Sequence, residues 1–295
     1  METVIRTQNL TKSYHRARGI IDLSITVNKG DIYGFIGSNG AGKSTTIRVL
    51  LGLIKANSGK AEVFGEDIKR RRREILSGIG YIPSEASYYP NMRVSEAIQM
   101  SADLRRMDCA REARRLCGIL GLDMGRRVEE LSFGNRKKLG IVLALQHRPD
   151  LLILDEATGG LDPLMQKAFW DLMAERHNQG ATVFFSSHVL SEIQQHCTRA
   201  AIIREGRLVV EDSVDSLSRS AAKRVTLRGC KHLPEGFPGA IGIARLDNSV
   251  SFLFQGDYKK LLSDLQGVSF EDLSITEPDM EEIFMHFYEK EGSPA

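Results

Sequence analysis

Short runs of consecutive apolar residues recur along the first 210 residues of the chain. Four of them carry no charged residue: Ile32–Ile36, Ile79–Ile82, Leu151–Leu154 and Val183–Phe185. Such runs are typical of strands that are buried on both faces, as in a parallel sheet covered by helices. The pattern therefore predicts an α/β fold with a largely parallel core sheet.

Weaker patterns surround these core strands. The segments Val4–Leu10, Ile21–Val27 and Lys60–Phe64 predict edge strands. Between about residues 90 and 147 the apolar spacing becomes helical, as in Ala110–Leu120. Two β-rich runs around a glycine-containing turn at 200–210 predict a hairpin, so we expect the first domain to end near residue 212.

Residues 213–295 predict a second, smaller domain without a chemical motif. We expect strands at Val225–Arg228, Ile241–Leu246 and Val250–Phe254, and a helix at Tyr258–Gln266. A last helix is expected between residues 277 and 288, where a proline precedes an apolar spacing of three and four. That apolar stripe is more typical of a core or a dimer contact than of a ligand site.

The segment after the first core strand has the spacing of a phosphate-binding loop. It leads into a predicted helix, whose first turn leaves backbone N–H groups for an anion. Its glycines allow sharp turns, Lys43 can reach the β and γ phosphates, and the Ser44 hydroxyl can ligate Mg²⁺. A glycine-rich turn that only enters a helix is the alternative, which this context disfavours. We expect ATP or GTP to bind at Gly37, Ser38, Asn39, Gly40, Ala41, Gly42, Lys43, Ser44 and Thr45.

Polar residues follow two of the core strands. Asp155 and Glu156 end the run that starts at Leu151, which places both carboxylates at the ligand-binding edge of the sheet. Asp155 is then a candidate Mg²⁺ ligand, and Glu156 is a candidate for polarising the attacking water. His188 follows the next run and can donate to a γ-phosphate. Each feature alone is also compatible with an ordinary strand end, but together with Lys43 they predict a catalytic group.

The segment Leu131–Asn135 precedes a basic run and an apolar helix. Together with the phosphate-binding loop, the acidic strand end and His188, it makes residues 3–212 resemble the ATP-binding subunits of ABC transporters. Several independent motifs occur in the family's order, so the resemblance is specific. It implies a P-loop NTPase core of ABC type with an antiparallel β edge, a helical subdomain that carries the signature motif, and a small α+β C-terminal domain.

The resemblance also implies functional roles for further residues. Tyr14 would stack on adenine, although a half-buried aromatic at a strand end remains the alternative. Ser132, Gly134 and Asn135 would bind the nucleotide of an opposing subunit, and the segment 160–163 would cross the dimer interface. The implied cofactors are ATP and Mg²⁺. The implied partners are a second ATPase subunit, identical or different, and a transmembrane permease.

Two positions depart from the family's pattern. Ser84 stands where a glutamine normally approaches Mg²⁺ and the water, so Ser84 would act through a bridging water or Glu85 would substitute for it. Phe133 replaces a glycine of the signature motif, which bears on how closely the opposing nucleotide can approach. Such variations resemble bacterial exporter-type (ABC-2-like) subunits that work with separate permeases, including peptide and antimicrobial-resistance systems.

Composition adds limits to these interpretations. The formal net charge is only +2, which gives no sign of nucleic-acid binding. No apolar stretch of about twenty residues is present, and the polar start lacks a secretory apolar region. The four cysteines include no Cys-x-x-Cys pair, which fits reduced thiols. We therefore expect a peripheral protein, held at the cytoplasmic face of the membrane by a permease.

Two other classes of function compete with this interpretation. An ABC-type ATPase that switches nucleic acid or ribosomes generally carries two cassettes or a long coiled coil, whereas this sequence has one phosphate-binding loop and no sustained heptad repeat. A GTPase is a more distant alternative, because no Asn-Lys-x-Asp segment follows the loop.

Overall fold

The computed structural model describes residues 2–276, apart from residues 15–18, 221–222, 231–232, 235, 247 and 255. These residues divide into two units, with the boundary between Glu211 and Asp212. The helix expected between residues 277 and 288 lies outside the described residues.

The larger unit combines two sheets with helices. In chain order its strands are β1 (Thr3–Lys12), β2 (Ile20–Leu23), β3 (Thr26–Asn28), β4 (Ile32–Ile36), β5 (Ser58–Val63), β6 (Glu66–Asp67), β7 (Ile79–Ile82), β8 (Leu151–Asp155), β9 (Thr182–Ser187), β10 (Arg199–Arg204) and β11 (Arg207–Ser213). Its helices are α1 (Lys43–Leu50), α2 (Arg72–Ser77), α3 (Val94–Arg105), α4 (Ala110–Leu120), α5 (Phe133–Leu145), α6 (Pro163–Asn178) and α7 (Leu190–His196).

The core sheet has six strands in the order β11-β10-β4-β9-β8-β7. The pairs β7–β8, β8–β9, β9–β4 and β4–β10 are all parallel. Every residue of β8 and β9 is buried, which explains why each strand contains an uninterrupted apolar run in the sequence. Because neighbouring strands run in the same direction, the ends of β4, β9 and β8 lie side by side at one edge.

The antiparallel strands form a sheet of their own, in the order β2-β1-β5-β6 with β3 also paired to β1. The expectation that Val4–Leu10 and Lys60–Phe64 are edge strands was therefore wrong, because β1 and β5 are each paired on both sides. The expected strand Ile21–Val27 is two strands. At the break, the Thr7 hydroxyl donates to the Leu23 carbonyl and accepts from the Ile25 amide, replacing the strand pairing.

Three helices, α3, α4 and α5, occupy the region with helical spacing. Helix α5 starts at Phe133, six residues before the apolar stretch that begins at Leu139. Its start is set by Ser132, whose hydroxyl caps the helix by accepting from the Asn135 amide at 3.3 Å. Ion pairs attach α4 to neighbouring elements. The buried Glu112 carboxylate accepts from Arg115 at 2.6 Å and from Arg148 at 2.9 Å, and Arg115 also contacts Glu175 of α6.

The smaller unit contains a four-stranded antiparallel sheet. Its elements are α8 (Val214–Ser220), β12 (Lys223–Arg228), β13 (Ala240–Leu246), β14 (Ser249–Phe254), α9 (Tyr258–Asp264) and β15 (Asp272–Thr276), and the strand order is β13-β14-β12-β15. The sequence patterns had indicated β12, β13, β14 and α9. They do not indicate β15, whose five residues are exposed or only partly buried.

Two further features concern the cysteines and the helices. All four cysteines are buried and none forms a disulfide. None of the helices in the described part of the chain has the length and apolar character that crossing a membrane requires.

The ring of Phe184 is central to the core sheet. It is fully buried on β9, and its centroid lies 5.7 Å from that of Tyr33 and 5.3 Å from that of Phe35, both on β4.

We predict that Phe184→Ala lowers the free energy of unfolding by about 3–5 kcal/mol, because it leaves a cavity between these rings. Leu104→Ala, at a side chain that is 73% exposed, should change it by less than about 0.5 kcal/mol. Urea denaturation of both variants checks this, and equal effects would contradict the packing described.

Candidate nucleotide-binding site

The predicted phosphate-binding loop, Gly37–Thr45, connects β4 to α1. Helix α1 begins at Lys43, and no side chain caps its N-terminus. The preceding Gly42 has φ +110, a left-handed conformation that favours glycine, and its Cα faces Ile20 so closely that a Cβ would lie 2.9 Å from that side chain. The loop therefore presents the uncapped amides of the first helical turn, together with the positive end of the helix dipole, to an anion.

A cavity of about 200 Å³ opens at this loop. The residues around it come from the loop, from the start of α1 and from the end of β8. They are Asn39, Gly40, Gly42, Lys43, Ser44, Thr45 and Glu156. The fold thus brings the predicted phosphate-binding residues to the acidic strand end, more than a hundred residues later in the chain.

Lys43 is 5% exposed and is held inside the loop. Its Nζ donates to the Gly37 carbonyl at 2.7 Å and to the Ser38 carbonyl at 3.3 Å, and it lies 3.2 Å from Glu156 Oε1. The ammonium is therefore surrounded by oxygen atoms, as phosphate oxygens would surround it in a nucleotide complex. A bound triphosphate would compete with the Glu156 carboxylate for this cation.

Glu156 follows β8 with φ 49, a region that non-glycine residues rarely adopt. Its amide donates to the Ser186 carbonyl at 3.1 Å, which fixes this turn against β9. Its Oε1 lies 3.2 Å from the Lys43 ammonium and 3.4 Å from Nδ1 of His188. The structure therefore brings the three predicted catalytic residues, Lys43, Glu156 and His188, into direct contact.

Asp155 is the last residue of β8 and is 2% exposed. Its Oδ1 accepts from the Ser186 hydroxyl at 2.7 Å. Burial and the charge of Asp155 raise the pKa of the nearby Tyr81 to about 12, so that phenol stays neutral. A carboxylate oxygen here and the partly buried Ser44 hydroxyl are the hard ligands that Mg²⁺ prefers. Among the described residues, no group of three or more His, Cys, Asp or Glu side chains could hold a metal ion.

The predicted signature residues lie at the start of α5 and not around the cavity of the same chain. Ser132 caps the helix, and Gly134 and Asn135 belong to its first turn. Phe133 is 52% exposed, and its ring packs so tightly on Gly160 that a Cβ there would overlap it. Ser132 and Phe133 are thus exposed and Gly134 and Asn135 partly buried, next to the segment that follows Glu156.

Tyr14 and Ser84 also lie outside the residues around the cavity. Tyr14 is 39% exposed, and its ring centroid is 5.2 Å from the Lys12 ammonium. Ser84 is partly buried, and its carbonyl accepts a hydrogen bond of 2.6 Å from Lys137. Adenine stacking by Tyr14 and an approach of Ser84 to Mg²⁺ remain predictions.

Two polar residues of the site were missed in the sequence. The predicted apolar run ends at Phe185, and the next residue, Ser186, donates its hydroxyl to Asp155. Lys137 was treated as one of several cations, yet it is 5% exposed. Its helical spacing to the buried Ile141 and Ala144 is the signal that could have placed it on the inner face of α5.

The sequence and the fold both match known proteins. The model of the ABC transporter family matches residues 20–159. The chain is 42% identical to the bacitracin transport ATP-binding protein BcrA of Bacillus licheniformis, over 76% of this chain and 74% of that protein. It is 31% identical to the probable multidrug ABC transporter ATP-binding protein YbhF of Escherichia coli, over 75% of this chain and 39% of that protein.

Solved structures give the same result for the fold. An ATP-binding subunit of an ABC transporter superposes with a TM-score of 0.69 at 28% identity, covering 74% of this chain and 93% of that chain. The ADP conformation of another ATP-binding cassette superposes with a TM-score of 0.62 at 24% identity, covering 74% and 95% of the two chains.

We predict that Lys43→Ala weakens ATP binding about 10- to 100-fold, because a charge-assisted hydrogen bond contributes about 1.5–3 kcal/mol. Lys55→Ala, at an exposed lysine, is the control and should leave the affinity unchanged. Titration of each purified variant with a fluorescent ATP analogue measures this. An unchanged affinity in Lys43→Ala would exclude the phosphate role of this side chain.

Proposed function

The chain belongs to the ABC transporter ATP-binding family, and on that premise we propose that it is the ATP-hydrolysing subunit of an exporter with a separate membrane permease. Family membership, the ABC-type fold and the ATPase activity predicted from the sequence are confirmed by the comparisons. The observation that carries the exporter assignment is the 42% identity to a bacitracin transport subunit over three quarters of both chains. A peptide, an antimicrobial or another drug-like compound is the substrate class we infer.

In the proposed reaction Lys43 binds the γ-phosphate and Glu156 orients the attacking water. A phosphate oxygen would take over the Lys43 ammonium, now 3.2 Å from Glu156 Oε1, and the released carboxylate would accept a hydrogen bond from water. The water oxygen then bonds to the γ-phosphorus as the bond to the β,γ-bridging oxygen breaks, so that ADP leaves and one proton of the water passes to the Glu156 carboxylate. His188, beside the same carboxylate, is placed to donate to the γ-phosphate.

We further propose that Asp155 and Ser44 hold Mg²⁺ at the phosphates, with Ser84 nearby through a water. When bound, Mg²⁺ neutralises charge that develops on the phosphate oxygens. The burial of Asp155 supports its part, because its Oδ1 is fixed by Ser186.

A second ATPase subunit completes each site in this proposal. The exposure of Ser132 supports it, as does the fact that Ser132, Gly134 and Asn135 are not among the residues around the cavity of their own chain. They would contact the γ-phosphate of the nucleotide held by the opposing subunit, and Tyr14 would stack on the adenine of its own. Closure and reopening of the pair would then drive the permease from the cytoplasmic face of the membrane.

We predict that Glu156→Gln leaves ATP affinity within about twofold of wild type and reduces steady-state hydrolysis at least about a hundredfold, because the amide cannot orient water as the carboxylate does. Asp171→Asn, at an exposed acid of α6, is the matched control and should keep full activity. Phosphate release by the full-length chain measures turnover. Unaltered hydrolysis in Glu156→Gln would overturn the role of this residue.

The partners are tested by tagging the chain in its native host, extracting membranes with mild detergent and identifying stoichiometric companions by mass spectrometry. We predict recovery of a membrane protein with several spanning helices, because the described part of this chain holds no such helix. Recovery with ribosomes or nucleic acid instead would contradict the transporter assignment.

Uptake of labelled bacitracin-like peptides into inside-out vesicles, with and without ATP, then tests the substrate class.

A further inference from the structure

Lys137 joins three segments of the site. It lies on the second turn of α5 and is 5% exposed. Its Nζ donates to the Ser84 carbonyl at 2.6 Å and makes a longer contact of 3.5 Å with the Glu156 carbonyl. One ammonium group thus connects α5, the helix that starts with the signature motif, to the segment after β7 and to Glu156, which follows β8.

The surroundings of Lys137 are those of a buried cation. Burial lowers the pKa of its ammonium, and the charges of Asp155, Glu156 and Glu85 oppose that shift. The centroid of the Phe133 ring, one helical turn earlier, lies 5.8 Å from Nζ. A buried ammonium is costly unless oxygen atoms or an aromatic face compensate it, and here both are present.

The carbonyl that Lys137 contacts belongs to the residue with the unusual backbone conformation. Glu156 has φ 49, and its carbonyl also accepts from the Gly159 amide at 3.2 Å. Because the direction of a side chain follows from its own backbone, a group that holds this carbonyl also sets the position of the carboxylate. The Phe133 ring packs against Gly160, four residues after Glu156. Helix α5 therefore contacts the segment after β8 at two points, through Lys137 at Glu156 and through Phe133 at Gly160.

We propose that Lys137 is a positioning residue for ATP hydrolysis, which fixes the backbone of Glu156 and of Ser84 relative to the signature helix. This inference rests on the proposed roles of Glu156 and Ser132. In that arrangement α5 contacts the opposing subunit's nucleotide through Ser132 and orients the glutamate of its own site through Lys137. Closure on one nucleotide therefore changes the position of the catalytic carboxylate at the other.

The test compares Lys137→Met with Lys138→Met, the adjacent and partly exposed lysine, in the full-length chain. Methionine has a side chain of similar length that adapts to irregular gaps in a core and carries no charge. We expect Lys137→Met to lower kcat for ATP hydrolysis at least about tenfold while KM for ATP stays within about twofold, since the phosphate-binding loop is untouched. Lys137→Arg, which keeps a cationic donor, should give a kcat above that of Lys137→Met. Lys138→Met should behave as wild type.

Several results would overturn the proposal. They are a kcat of Lys137→Met within twofold of wild type, a rise in KM that accounts for the loss, or a kcat of Lys137→Arg no higher than that of Lys137→Met. The role of Glu156 is tested separately: if Glu156→Gln still hydrolyses ATP, the glutamate assignment fails, whereas loss in Glu156→Gln with normal turnover in Lys137→Met removes only the role of Lys137.

Hydrogen exchange supplies a readout that does not depend on turnover. The Gly159 amide donates to the Glu156 carbonyl, so release of that carbonyl should speed exchange in the peptide that contains Gly159. We expect faster exchange there in Lys137→Met and unchanged exchange in Lys138→Met. Equal exchange in the two variants would contradict the contact.

Discussion

The contact of the Glu156 carboxylate with Lys43 and His188 is the constraint around which this molecule is arranged. The three side chains come from segments that are far apart in sequence, and their contacts of 3.2 and 3.4 Å depend on the order of the strands. Strand β9 lies between β4 and β8 in the sheet, so the loop after β4, the turn after β8 and the residue after β9 meet at one edge. The core built by Tyr33, Phe35 and Phe184 keeps these strands in register.

Much of this arrangement could be predicted from the sequence, because it depends on local patterns. The core strands are uninterrupted apolar runs, and the phosphate-binding loop and the acidic strand end are contiguous segments whose spacing carries chemical meaning. The edge strands were less predictable, since a half-polar strand such as β1 has the same pattern at the edge of a sheet and between two neighbours. The division of the sheets depends on pairing between distant segments, which local spacing does not specify.

Lys137 and Ser186 show a second limit of sequence patterns. A serine at the end of an apolar strand has no distinctive local signal, and the helical spacing of Lys137 indicates only that it lies on the inner face of α5. Their contacts appear only when the partner segments are in place. The outward face of Ser132 shows a third limit, because its proposed ligand belongs to another subunit. The first two turns of α5 thus have different surroundings: Ser132 and Phe133 are exposed, whereas Lys137 is buried against the segments after β7 and β8.

The structure of the full-length chain with Mg²⁺ and a non-hydrolysable ATP analogue tests this account most directly. It should show Lys43 Nζ within hydrogen-bond distance of a γ-phosphate oxygen and separated from Glu156, whose carboxylate accepts from a water in line with the γ-phosphorus. It should also show Ser132 of a second ATPase subunit on the same phosphate. A nucleotide bound at the loop while Lys43 still pairs with Glu156, or a γ-phosphate contacted by Ser132 of the same chain, would contradict the account.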